Sequence, residues 1–197
     1  MAHVLTSARS GNVTASQLIP GERDIWVFVL FEAIVFSSYF IVYLIKRVQH
    51  SQLYLSSQEH LSQNFGVANT LVLLISSLFM AQCVRAARDG RYGVALRQVT
   101  LTVFCGVLFL CSKVFEWVIE TRQGFKFSTN EFFSFYYFLT AIHVLHVVFG
   151  FVFLGVVIYQ LRSPLRRSRV IVETGATYWH MVDFLWVFIF ALLYVMR

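Results

Sequence analysis

Five long apolar runs alternate along the chain with short polar stretches, at residues 25–45, 66–84, 99–119, 132–161 and 178–196. A helix rises ~1.5 Å per residue, so about 20 mainly apolar residues cross a hydrocarbon core of ~30 Å. The pattern predicts an all-α integral membrane protein, a bundle of five transmembrane helices in one domain over residues 25–197. A polar tail of residues 1–24 precedes it. The fourth run exceeds the span required and is expected to tilt or to project beyond the bilayer. Both prolines, Pro20 and Pro164, lie outside the runs, and Pro20-Gly21 reads as a turn ahead of the first helix. Trp26, Tyr178 and Trp179 fall at run ends, where aromatic rings favour the interface. The longest connection, 46–65, is polar, and 58–63 within it is predicted to form an interfacial helical turn. Because the first apolar run begins only at Ile25, the chain's start does not read as a cleaved signal peptide.

Composition makes lipid the solvent. Hydrophobic residues are 58% of the 197 and charged residues only 13%, against roughly 25% charged in an ordinary soluble domain. The mean hydropathy is +0.68, and a soluble fold of this size could not hide so much apolar surface. The net charge of +6 does not point to nucleic acid, because the basic residues fall in the short connections. The tail and the second and fourth connections carry ten: Arg9, Arg23, Arg85, Arg88, Arg91, Arg97, Arg162, Arg166, Arg167 and Arg169. The opposite side carries five: Lys46, Arg47, Arg122, Lys126 and Arg197. Positive charge collects on the cytoplasmic side, which predicts the N-terminus inside and the C-terminus outside. Cys83, Cys105 and Cys111 show no paired spacing and read as small buried side chains.

The remaining cation, Lys113, lies inside a run together with other ionisable groups: Glu32, Glu116, His143, His146, His180 and Asp183. Each costs several kcal/mol within a bilayer, commonly ~2.5–3.5 on insertion scales, unless it has a partner or a task. Counted from the predicted inner ends, Glu32 and Asp183 lie about 10 Å deep, and Lys113, Glu116, His143 and His146 about 20–25 Å deep. Two layers are therefore expected, an inner acidic one and an outer mixed one. Lys113 and Glu116 share a helical face at three-residue spacing and can form an ion pair. The same spacing relates His143 to His146 and His180 to Asp183, so these groups are expected to fasten helices together. Glu32 has no cation within a turn and is the buried carboxylate for which a proton- or lipid-linked task is most open. No catalytic, cofactor or metal site is read from the sequence. The histidines are too few and at different depths, and neither Cys-x-x-Cys nor Gly-x-Ser-x-Gly occurs.

The motifs in order resemble the subunit III family of haem–copper oxidases, the cytochrome c oxidase subunit III family. They are Trp26…Glu32…Phe36, then Asn69-Thr70-x-x-Leu73-Leu74-x-Ser76-Ser77, then Gly106-x-x-Phe109 followed by Lys113-x-x-Glu116-Trp117. The fourth run reads Phe135-Tyr136-Tyr137-Phe138-Leu139-Thr140-x-x-His143-x-x-His146-Val147-x-x-Gly150. The fifth reads Tyr178-Trp179-His180-Met181-Val182-Asp183-x-x-Trp186-x-Phe188. Many relatives carry Gln and Tyr where Lys113 and Trp117 stand. The resemblance covers about Pro20 to Tyr194 and matches the short five-helix bacterial form.

The resemblance implies a non-catalytic accessory subunit in the bacterial inner membrane. It would pack on catalytic subunit I and support proton uptake there, with bound phospholipid, while haem and copper belong to partner subunits. The family's buried carboxylate falls on Glu32, its paired histidines on His143 and His146, and its Trp-His…Asp element on Trp179, His180 and Asp183. The segments 20–28 and 53–66, and Phe31 where oxidase members more often have Ser, are similar to subunit III-like proteins associated with nitric oxide reductase. That branch would replace the oxygen-reducing partner with a denitrification enzyme. A proton-coupled transporter is the reading from another class, but internal repeats and helices broken near the midplane, its usual signs, are missing from the sequence. An assembly factor would use the same surfaces as an accessory subunit.

Overall fold

The computed structural model describes residues 21–196; the tail with Arg9 and Pro20, and Arg197 at the other end, lie outside the described residues. Within them the chain forms α1 (Arg23–Gln49), α2 (Ser51–Glu59), α3 (Gln63–Arg88), α4 (Tyr92–Arg122), α5 (Glu131–Arg162) and α6 (Arg169–Phe190). A widened π-type turn, Ala191–Val195, continues α6. Among the described residues five helices are long and apolar enough to cross a membrane, and there is no strand.

Several helices extend beyond their apolar runs, α4 by seven residues at its start, and two differences bear on the site. The last spanning helix starts at Arg169, nine residues before the predicted run. Its first turns carry Arg169, Glu173, Thr174 and Thr177, which lower hydropathy without opposing a helix. Ser168 caps it by accepting a hydrogen bond from the Ile171 N–H at 3.4 Å, and Glu173 meets Arg88 of α3 at 2.8 Å. As a result Tyr178 and Trp179 stand well inside α6 and are buried, not at an interfacial helix end. The short helix of the long connection covers 51–59 and ends where the predicted turn at 58–63 begins. Burial of Tyr54, whose ring meets Tyr43 and Phe132 at 5.4 and 5.7 Å, sets its position.

α6 is the central element. α3, α5 and α1 all lie against it, and α4 joins α3 in a hairpin whose turn, 89–91, has Gly90 at φ +74°. α1 is peripheral, with Val27, Leu30, Phe31 and Ile34 all more than 60% exposed. This is the surface expected of a helix facing lipid or a partner.

Each end of the bundle is tied. Near the start of α1, the Gly21 N–H donates to Glu173 Oε2 and the Glu22 N–H to Thr174 Oγ1, both at 3.1 Å. Gly21 is at φ +80°, and a Cβ there would meet Thr174 at 3.0 Å, so glycine is what lets the chain approach α6 so closely. At the other end Glu131 joins Lys46 at 3.0 Å and His50 at 2.9 Å. Alongside, Asn130 Nδ2 donates to Ser57 Oγ at 2.8 Å.

Candidate functional site

The polar interior falls into three parts. The densest surrounds Lys113, whose side chain is fully buried. Lys113, Glu116 and Glu120 fall at i, i+3 and i+7 on α4, so the helix period places them on one face. Lys113 Nζ donates to Glu116 Oε2 at 3.0 Å, to Tyr194 Oη at 2.7 Å and to Tyr136 Oη at 3.3 Å. The phenols of Tyr136 and Tyr194 in turn donate to Glu116 Oε1, the first at 3.0 Å. The ammonium also lies 4.8, 5.2 and 5.3 Å from the ring centroids of Tyr136, Trp186 and Tyr194, within reach of cation–π attraction. The ion pair expected at this spacing is therefore present, and helices α4, α5 and α6 all converge on it.

The second part joins α1 to α5. His146 Nε2 lies 3.2 Å from Glu32 Oε2, and its Nδ1 is 2.8 Å from the Ile142 carbonyl. The expected layers do not hold, because Glu32 and His146 were assigned to different depths. α5 has 32 residues and so is about 48 Å long. That exceeds the ~30 Å hydrocarbon core, so a count of residues from one end of α5 does not give the depth of His146 in the bilayer. The two helix-4 histidines also diverge. His143 turns into the core against Phe109 and Trp186, ring centroids 5.5 and 5.2 Å away. Neither of its ring nitrogens has a partner among the described residues.

The third part is a seam of hydrogen bonds between α3 and α6. Trp179 Nε1 donates to Ser76 Oγ at 3.0 Å, Trp186 Nε1 donates to Thr70 Oγ1 at 3.1 Å, and His180 Nδ1 lies 2.7 Å from Ser77 Oγ. The His180–Asp183 pairing expected from spacing does not form. His180 is taken by Ser77, whereas both Asp183 oxygens and the Asn69 Nδ2 are buried without partners among the described residues. The Trp179 ring closes on glycine faces of two further helices: a Cβ on Gly106 or Gly150 would come within 2.9 or 2.8 Å of it. Cys83 and Cys105 are buried as expected. Cys111 is exposed, because it faces outward on α4 beside Leu110 and Val114.

Among the described residues no three His, Cys, Asp or Glu side chains form a metal-ligand group. The arrangement ties helices together through one buried ion pair, one Glu–His contact and one indole seam.

Comparison with known proteins decides which molecule is built this way. The family model described as cytochrome c oxidase subunit III matches residues 22–197. The chain belongs to the cytochrome c oxidase subunit III family. Among its relatives, the cytochrome bo(3) ubiquinol oxidase subunit 3 of Buchnera aphidicola subsp. Acyrthosiphon pisum is 28% identical over 173 residues, covering 87% of this chain and 84% of the relative. The cytochrome c oxidase subunit 3 of Synechocystis sp. is 30% identical over 86% of this chain and 73% of its own length. The quinol oxidase subunit 3 of Bacillus subtilis is 27% identical over 87% and 84%. In this subunit III chain the quoted motif residues do physical work. Thr70, Ser76, Ser77, Trp179, His180 and Trp186 form the α3–α6 seam, and Glu32 and His146 form the α1–α5 contact.

Two residues of the Lys113 cluster do not stand out in the sequence. Tyr194 falls near the end of an apolar run and looks like an ordinary interfacial aromatic, but the π-type turn carries it into the core. Glu120 lies one residue past the predicted run 99–119, so it was read as part of a connection. The signal for it was present: Lys113-x-x-Glu116-x-x-x-Glu120 keeps helical spacing.

Proposed function

We infer that this chain is the accessory subunit III of a bacterial haem–copper oxidase, a multi-pass protein of the inner membrane that works beside catalytic subunit I. The family match along residues 22–197 carries this reading, and relatives named as subunits of quinol and cytochrome c oxidases support it. Haem and copper would reside in partner subunits. The buried histidines of this chain fit that division, since His143 is enclosed by Phe109 and Trp186 and His146 and His180 already have hydrogen-bond partners. The exposed apolar face of α1 suits lipid or a neighbouring subunit.

Structural phospholipid is a further part of the proposal. A groove between α3 and α6 has Ala81, Val84 and Ala176 as its apolar wall and Arg85, Arg88, Glu173, Thr177 and His180 as its polar lining. Arg88 is held by Glu173, so Arg85 is the cation that an anionic headgroup would meet above an acyl chain on that wall. An N-inside orientation is part of the same proposal and would put Arg85 on the cytoplasmic side.

Gentle solubilisation and purification through a tag on this chain tests the assignment. A haem-containing complex that consumes oxygen is the expected result; a complex without haem absorbance overturns it. Consumption of nitric oxide without oxygen reduction would assign the chain to the nitric oxide reductase branch instead.

Within this reading Glu32 supports proton uptake or lipid contact. Glu32→Gln retains a hydrogen-bonding group 3.2 Å from His146, so folding is expected to change by no more than about 1 kcal/mol. Proton uptake by the partner, or retention of copurified lipid, should change. Failure of the variant to accumulate in membranes would assign Glu32 a structural role.

A further inference from the structure

Glu120 stands apart from the other ionisable groups of the interior. It lies one turn beyond Glu116 on α4, two residues before the helix ends at Arg122. It is 2% exposed, and its Oε2 has no hydrogen-bond partner among the described residues. The charged and titratable groups that act on it are Glu116 and Lys113 from its own helix and Tyr136 and Tyr137 from α5. Tyr194 completes the far side of the cluster by binding Glu116.

Charge counting decides the state of this cluster. Lys113 supplies one positive charge, and Glu116 balances it. The Glu116 carboxylate is well provided for: one oxygen accepts two phenols and the other accepts the ammonium. An ionised Glu120 would add a second negative charge with no second cation to meet it. In a low-dielectric interior such a charge is expelled by protonation instead of being tolerated. A neutral carboxylic acid adds no net charge and leaves the Lys113–Glu116 pair undisturbed.

We propose that Glu120 is an exchangeable proton site, a buried carboxylic acid that trades its proton with water at the end of the bundle where α4 gives way to the 123–130 connection. The position provides the route, since Thr121, Arg122 and Gln123, the residues directly following, are all exposed. The step is simple transfer of the carboxyl proton to a water molecule, leaving a carboxylate and a hydronium ion. Loss of the proton places a second negative charge beside Glu116 and raises the demand on Lys113, so the packing of α4 against α5 and α6 becomes sensitive to pH at that membrane face. The site goes beyond the accessory role inferred above and does not depend on which oxidase is the partner.

Infrared spectra of the intact complex in lipid nanodiscs, compared between the parent and variants of this chain, test the site. The parent minus Glu120→Gln difference is expected to show the carbonyl stretch of one protonated carboxyl, and this band should shift in heavy water. In Lys113→Gln, Glu116 loses its cation and takes up a proton too. The protonated-carboxyl signal from the cluster should then rise about two-fold. A parent-minus-Glu120→Gln spectrum with no such band overturns the proposal, as does a band that never shifts in heavy water or a Lys113→Gln spectrum without the gain. Glu120→Gln is isosteric with the neutral acid, so a failure of that variant to fold counts against the proposal as well. If Lys113→Gln does not accumulate, the Glu120→Gln comparison decides alone.

Discussion

Replacing Glu116 by alanine is expected to destabilise the bundle by about 3–5 kcal/mol and to deplete the chain from membranes. The substitution removes the carboxylate that meets Lys113 Nζ at 3.0 Å and that accepts the phenols of Tyr136 and Tyr194. Lys113 would remain fully buried, with phenol oxygens and ring faces in contact and Glu120, further along α4, as the carboxyl that still acts on it. The cost arises less from the lost attraction than from a buried ammonium left without a carboxylate in contact. A double variant separates these two contributions. Lys113→Met with Glu116→Leu removes both charges and fills comparable space, so it should recover most of the loss. The remainder, about 1–3 kcal/mol, reflects phenols that no longer have an acceptor. Steady-state abundance in membranes and thermal unfolding in mild detergent would measure both. A Glu116→Ala protein as abundant and as heat-resistant as the parent would contradict the role assigned to the pair.

The same cluster shows what the sequence made legible and where it misled. Spacing alone brought Lys113 and Glu116 together, because residues three apart on one helix lie close enough to reach each other. Spacing failed for His143 with His146 and for His180 with Asp183, and for a single reason. Each helix packs against two or more neighbours, and groups three residues apart differ by about 60° in direction, enough for each to face a different one. His146 turns to Glu32 on α1, and His143 turns to Phe109 and Trp186; His180 turns to Ser77 on α3. These contacts run between helices, and no local rule supplies them.

The five spans were legible for a different reason, since apolar length is a property of the solvent and not of the fold. Their ends were less so. Hydropathy stops where Arg169, Glu173 and Thr177 begin, but the helix continues, held by a Ser168 cap and by Arg88. Glu120 was missed by the same rule. It is a carboxylate just past the apolar run, and its burial comes only with the fold. The seam residues all stand in the quoted motifs, although their geometry came only with the fold. Nothing in the spacing of Ser76 and Trp179, residues on distant segments, says that one accepts the other's indole hydrogen.

That indole also carries the second large effect. Trp179→Ala is expected to cost about 3–5 kcal/mol. The side chain is fully buried, donates to Ser76 on α3 and lies against Gly106 of α4 and Gly150 of α5. Four helices therefore meet at one ring. In lipid no hydrophobic drive favours helix association, so close packing over small residues and interhelical hydrogen bonds must supply it. The two glycines are the complement of the ring. At Gly150 a Cβ would approach Trp179 ring atoms to 2.8 Å, and Gly150→Ala is expected to cost about 1–3 kcal/mol through overpacking. The two substitutions should not add. Once the ring is gone the new methyl enters the vacated space, and Gly150→Ala in the Trp179→Ala background should be nearly neutral. The coupling would then equal the overpacking cost. Thermal unfolding of the four members of this cycle in one detergent measures it. Additive losses would mean that Gly150 is required for something other than the approach of Trp179, and the ring would lose its place as the point where the helices lock.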